Sequence, residues 1–101
     1  MDVRSLADAK LWAGLLKKYP EIVSRTIDYL DDQIPQINSG EKKELQEWKY
    51  ILESMSFQRL RKFLESDSER SIRLRQSLPF WPVLNEKERL ELEKMLSEQI
   101  Y

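Results

Sequence analysis

Neither cysteine nor histidine occurs in the 101 residues of this chain. The first absence excludes disulfides, a thiolate nucleophile and cysteine-type metal cages; the second removes the commonest general base and metal ligand. Only two glycines are present, Gly14 and Gly40, and no glycine-rich phosphate loop, nucleophile elbow or histidine-based zinc motif can be traced. No cofactor is therefore expected, and the chain reads as a non-enzyme. Long apolar runs are missing too: nothing approaches the roughly 18 residues of a membrane span. The N-terminus carries Asp2, Arg4, Asp8 and Lys10 where a signal peptide would place an apolar core. The expectation is a protein without a membrane partner, intracellular, cytoplasmic in a prokaryote or nuclear in a eukaryote.

What is present favours helix. Charged residues make up 35% of the chain, against a usual share of about 25%, yet the hydrophobic 41% is patterned and prolines number only four. Leu, Glu, Lys, Ser and Arg dominate, which suits helices better than small β folds. The fold class expected is all-α: a single helical-bundle domain over residues 1–101, with four or five helices. "SLAD" at Ser5 to Asp8 resembles a capping box that opens a first helix over about residues 6–18. Pro20 suits the first turn of a second helix, whose stripe Val23, Ile27, Leu30 and Ile34 ends before Pro35.

After the loop "PQINSG", with Ser39 as a candidate cap, apolar spacing runs through Leu45, Trp48, Leu52 and Met55 and then shifts to Leu60 and Leu64. This predicts one long helix from Glu41, facing one neighbour early and another later, as the organising element. Ser66 with Glu69 reads as a fresh capping box, so a break or kink is expected there. "SLPFWPVLN" cannot be regular helix, because two prolines bracket Phe80 and Trp81. Asn85 with Glu88 caps a last helix carrying Leu92, Leu96 and Ile100.

The most informative stretch for function is "FQRLRKFLESDSERSIRLRQ", residues 57–76. Between residues 59 and 75 six cations, Arg59, Arg61, Lys62, Arg70, Arg73 and Arg75, meet three acids, a local +3 in a chain of net −1. Three readings remain open: a phosphate-binding face, a surface for an acidic protein, or a solvated face with internal ion pairs. A local +3 is modest and the segment is poor in base-stacking aromatics, so a protein partner ranks before a weak DNA contact. Phe80 and Trp81 are either a plug closing the core or an exposed anchor for another subunit. Together with the six cations they form the candidate partner-binding set. Trp12 and Trp48 lie on helical stripes and are expected in the core. Asp31 and Asp32, adjacent acids that could in principle hold a hard cation, point in different directions on a helix and read as solvated surface.

The order "MDVRSL", "PEIVSRTIDYL", "LQEWKYILESMSFQRLRKFLE" and "LNEKERLELEKML" resembles the helical domain of GINS subunits over nearly the whole chain. "RLRK" at Arg59 to Lys62 is similar to the basic end of that family's long helix, and "LNEKE" to the acidic start of the helix that follows. The resemblance implies a scaffold in DNA replication, with other GINS subunits or itself as assembly partners and the MCM helicase and a RecJ-like protein beyond them. No segment corresponds to the small β domain that many members carry. A second resemblance links "DAKLWAGLLKKYPEIVSRTIDYL" and "LRKFLESDSERSIRLRQ" to the dimerisation domain of prephenate dehydrogenases. It needs a long insertion between the two segments and lacks the dinucleotide-binding half, so it implies the non-catalytic part of such an enzyme. An unrelated helical interaction module is the third alternative.

Overall fold

A computed structural model describes residues 3–98, with side chains from residue 7 onward except at position 39. Among the described residues it is all-α, with no strand and with six α-helices where four or five were expected. These are α1 (Val3–Lys18), α2 (Glu21–Gln33), α3 (Ser39–Ser54), α4 (Phe57–Leu64), α5 (Glu69–Arg75) and α6 (Glu86–Glu98). Short 3-10 turns at Ile34–Gln36 and Trp81–Val83 follow α2 and precede α6.

The extra helix comes from a break in the long one. Met55 (φ −100°, ψ 138°) and Ser56 (φ −65°, ψ 164°) are extended, and the Ser56 hydroxyl accepts the Arg59 N–H at 3.3 Å as the N-cap of α4. The shift of the apolar stripe between Met55 and Leu60 thus marks a change of helix. The organising role falls to α1, which packs against α2, α4, α5 and α6, while α3 packs on α2. The helix starts at Val3, so Ser5 and Asp8 lie inside it and do not cap it. Asn38, extended at φ −78° and ψ 166°, occupies the N-cap position of α3, one residue before the expected Ser39.

One continuous hydrophobic cluster holds these helices, drawing Trp12, Leu15 and Leu16 from α1, Ile22 and Leu30 from α2, Trp48 and Ile51 from α3, and Leu60 and Leu64 from α4. Leu74 of α5, Phe80, and Leu92 of α6 join them. A radius of gyration of 13.4 Å agrees with the roughly 13 Å of a compact chain this long, so the short helices do fold back on one another. Aromatic rings form its spine: Trp12 lies 5.3 Å from Phe80, Phe80 lies 6.0 Å from Trp48, and Trp48 lies 6.1 Å from Phe63. The tilted and edge-on geometries are those aromatic quadrupoles favour. Trp12 and Trp48 are buried, as their stripes predicted.

Two polar devices lock the chain where helices end. At the start of α6, Asn85 Oδ1 accepts the Glu88 N–H at 2.8 Å and Glu88 Oε1 accepts the Asn85 N–H at 3.0 Å, the reciprocal capping box the sequence announced. The other oxygen of Glu88, a side chain only 2% exposed, accepts from Arg25 of α2, which also donates to the Val83 carbonyl at 3.0 Å. One guanidinium thereby ties α2 to both the second 3-10 turn and α6.

Candidate interaction surface

The basic segment is two helices joined by a turn, not one continuous face. α4 ends at Leu64, and α5 is capped by Ser68, whose hydroxyl accepts the Ser71 N–H at 3.1 Å. Ser66, the expected cap, accepts the Ser68 N–H at 3.1 Å and so shapes the turn instead. The break expected at this segment is present, two residues later than its predicted cap.

Each cation of the candidate set can now be placed. Arg70 donates to Glu47 at 2.6 Å and lies 5.6 Å from the centre of the Phe63 ring. Arg73 donates to Glu44 at 2.8 Å and to both oxygens of Glu47, at 3.0 and 3.2 Å. The two carboxylates sit three residues apart on α3, the two guanidiniums three residues apart on α5, and the matched spacing lets one helix clasp the other. Hydrogen bonds from Arg70, then from Arg73, hold the Glu47 carboxyl below its ordinary value. Arg73 is held more firmly protonated in return, first through Glu47.

Arg75 faces inward. Its residue is only 7% exposed, and Nη1 donates to the Leu64 carbonyl at 2.8 Å and the Ser66 carbonyl at 2.6 Å. The Ser71 hydroxyl donates to the Phe63 carbonyl at 2.6 Å. Side chains of α5 thus satisfy carbonyls that the end of α4 leaves without helical partners. Arg75 therefore does not lie on a surface a partner can reach, contrary to its place in the candidate set.

Arg61 forms an i, i+4 pair with Glu65 at 3.1 Å. Arg59 and Lys62 are exposed and, among the described residues, have no ion-pair partner. Arg61 and Lys62 also border an open groove of about 600 Å³ between α4 and α1, with Lys17, Phe57, Gln58 and Glu65. An adjoining hollow of about 400 Å³ shares Lys17, Phe57, Arg61 and Glu65 and adds Lys10, Ala13 and Gly14. Reading the sequence did not mark Lys10 or Lys17 as a site residue; their separation of seven residues, two helical turns, was the available signal.

Phe80 and Trp81 divide the two readings offered for them. Phe80 is fully buried between Trp12 and Trp48 and plugs the core. Trp81 is 39% exposed and stands edge-on against Trp12, 5.5 Å away. Pro82, also exposed, holds the 3-10 turn that presents it. Asp31 pairs with Lys49 at 2.6 Å, and no cluster of three metal-ligating side chains exists among the described residues. Nor is any described helix long and apolar enough to cross a membrane.

No family model matches the chain, and comparison with curated proteins and with solved structures gives no significant match.

Proposed function

We propose that this chain is a non-enzymatic helical assembly subunit that binds a protein partner through Trp81. The observation that carries the reading is the way this side chain is held. A large apolar ring stays substantially exposed on a proline-stiffened turn, braced from beneath by Trp12. Little conformational entropy remains to be lost when such a ring is covered, and rigid aromatic anchors of this kind dominate protein interfaces. The internal pairing of Arg70 and Arg73 supports a protein partner over DNA, because carboxylates already occupy the donors that phosphates would need.

The resemblance to GINS helical domains, which rests on residue order, gives this reading its most specific form. In that form the partners are other GINS subunits or a second copy, then the MCM helicase and a RecJ-like protein, in DNA replication. Affinity purification from the native organism tests it: replication proteins recovered by the wild type and lost with Trp81→Ser are the expected result. Recovery of an unrelated partner that still depends on Trp81 removes the GINS form and keeps the anchor; recovery indifferent to Trp81 removes the anchor.

A further inference from the structure

The groove between α1 and α4 has a composition the internal architecture does not use. Lys10 and Lys17 approach from α1 and Arg61 and Lys62 from α4, against one lining carboxylate, Glu65, which Arg61 already engages. Among the described residues Lys10, Lys17 and Lys62 have no ion-pair partner, although the chain as a whole carries one more acid than base. Elsewhere the same chain pairs its cations readily, as at Arg70, Arg73 and Lys49. Converging like charges raise the free energy of the fold and create a field that attracts an anionic ligand.

Two further features shape the occupant. Phe57, half-buried, supplies apolar surface beside the cations. Gly14, exposed in the middle of α1, borders the hollow, and a Cβ built on it would meet nothing within 4 Å. Glycine inside a helix costs about 1 kcal/mol relative to alanine, and no packing within this chain requires it. Its effect is to leave the space over α1 open.

From this we infer that the α1–α4 groove docks an acidic segment of a partner protein, one whose carboxylates flank an apolar side chain. The carboxylates meet Lys10, Lys17 and Lys62 while the apolar group covers Phe57 beside Gly14. Nucleic acid fits less well: among the described lining residues Phe57 alone offers an aromatic face on which a base could stack. At about 100° per helical residue, Lys10, Gly14 and Lys17 occupy the side of α1 opposite Trp12. The groove is therefore separate from the Trp81 surface, and this inference stands or falls independently of the role given to Trp81.

The test is fluorescence anisotropy with a panel of labelled peptides in which Glu and Asp flank Leu, Phe or Trp. Lysine-for-acid versions, a single-stranded oligonucleotide and inorganic phosphate serve as competitors. At least one acidic peptide should bind saturably, with affinity falling tenfold or more between about 50 mM and 500 mM salt. Lys17→Glu with Lys62→Glu should lower affinity at least tenfold. Gly14→Leu should do the same by filling the space, with a melting temperature equal to or above that of the wild type. The inference is overturned if no acidic peptide binds, if binding survives both variants, or if the oligonucleotide or phosphate displaces the peptide and binds more tightly than it does.

Discussion

Arg25 and Glu88 show how much can depend on one pair. Glu88 is buried with its carboxylate shared between the Asn85 N–H and the Arg25 guanidinium. Arg25→Ala leaves that charge without its counter-ion and the Val83 carbonyl without its donor. Breaking a buried pair on one side costs 3–5 kcal/mol, and the low end, about 3, applies because Arg25 remains a third exposed. Glu88→Gln keeps an acceptor for Asn85 but sets an amide N–H where Arg25 had an acceptor; because Arg25 can turn toward solvent, the loss should be about 2 kcal/mol, smaller than for Arg25→Ala. Urea unfolding of the two variants checks both the sign and the order. The capping half of this device was legible, since Asn85 and Glu88 are three apart before an apolar run. The other half was not, because no local pattern reveals that a residue 63 positions away supplies the counter-ion.

At the scale of elements, the contact between α3 and α5 depends on carboxylates staying ionised. Glu47 has its folded-state value depressed by Arg70 and Arg73, so its contribution is complete above the unfolded value and is lost as pH falls through and below about 4. Lys18, beside Glu91, and Lys49, beside Asp31, have raised values, so their contributions are complete at neutral pH and lost only as pH climbs beyond about 10. Stability measured by denaturant should therefore be flat between these limits and fall on both sides. Glu47→Gln should shrink the acid limb specifically. Solvent screening keeps such exposed pairs weak, so added salt should lower the plateau only slightly.

The boundaries of α4 and α5 explain what reading the sequence could and could not reach. The turn after Leu64 was visible as a run of cap-forming residues, but Ser66 and Ser68 both fit as caps. Ser71 decides between them: it is buried, its N–H goes to Ser68, and its hydroxyl goes to Phe63. That choice is made by packing. The break at Ser56 was missed because Arg59, three residues on, is not the Glu or Gln that completes a capping box. The shifted stripe carried the information, and it reads equally as a helix that changes neighbours. The Trp81 and Phe80 alternative likewise needed three dimensions, since both residues share one short turn and only one faces Trp48.

At the scale of the whole molecule, most cations of the basic segment are engaged internally, and two separate regions stay open. Four cations of the segment, Arg61, Arg70, Arg73 and Arg75, already contact groups of the chain, whereas Trp81 and the groove between α1 and α4 face outward. Covering Trp81 with a second copy or a related subunit should give a dimer or larger species by light scattering at micromolar concentration. Trp81→Ser should reduce it to monomer without a large change in helical circular dichroism, whereas a wild type that stays strictly monomeric and finds no partner contradicts the assembly reading.

The central claim is that Arg61, Arg70, Arg73 and Arg75 serve first as internal fasteners, with Arg75 the keystone because it closes the end of α4 from α5. Urea unfolding of Arg75→Ala tests it most directly. Leaving the Leu64 and Ser66 carbonyls without their charged donor should cost about 2–3 kcal/mol, while Arg59→Ala, at an exposed cation, should stay within about 0.5 kcal/mol of the wild type. Equal stabilities for the wild type and both variants, with partner binding lost in Arg75→Ala alone, would show that Arg75 belongs to an outer surface and would contradict the account.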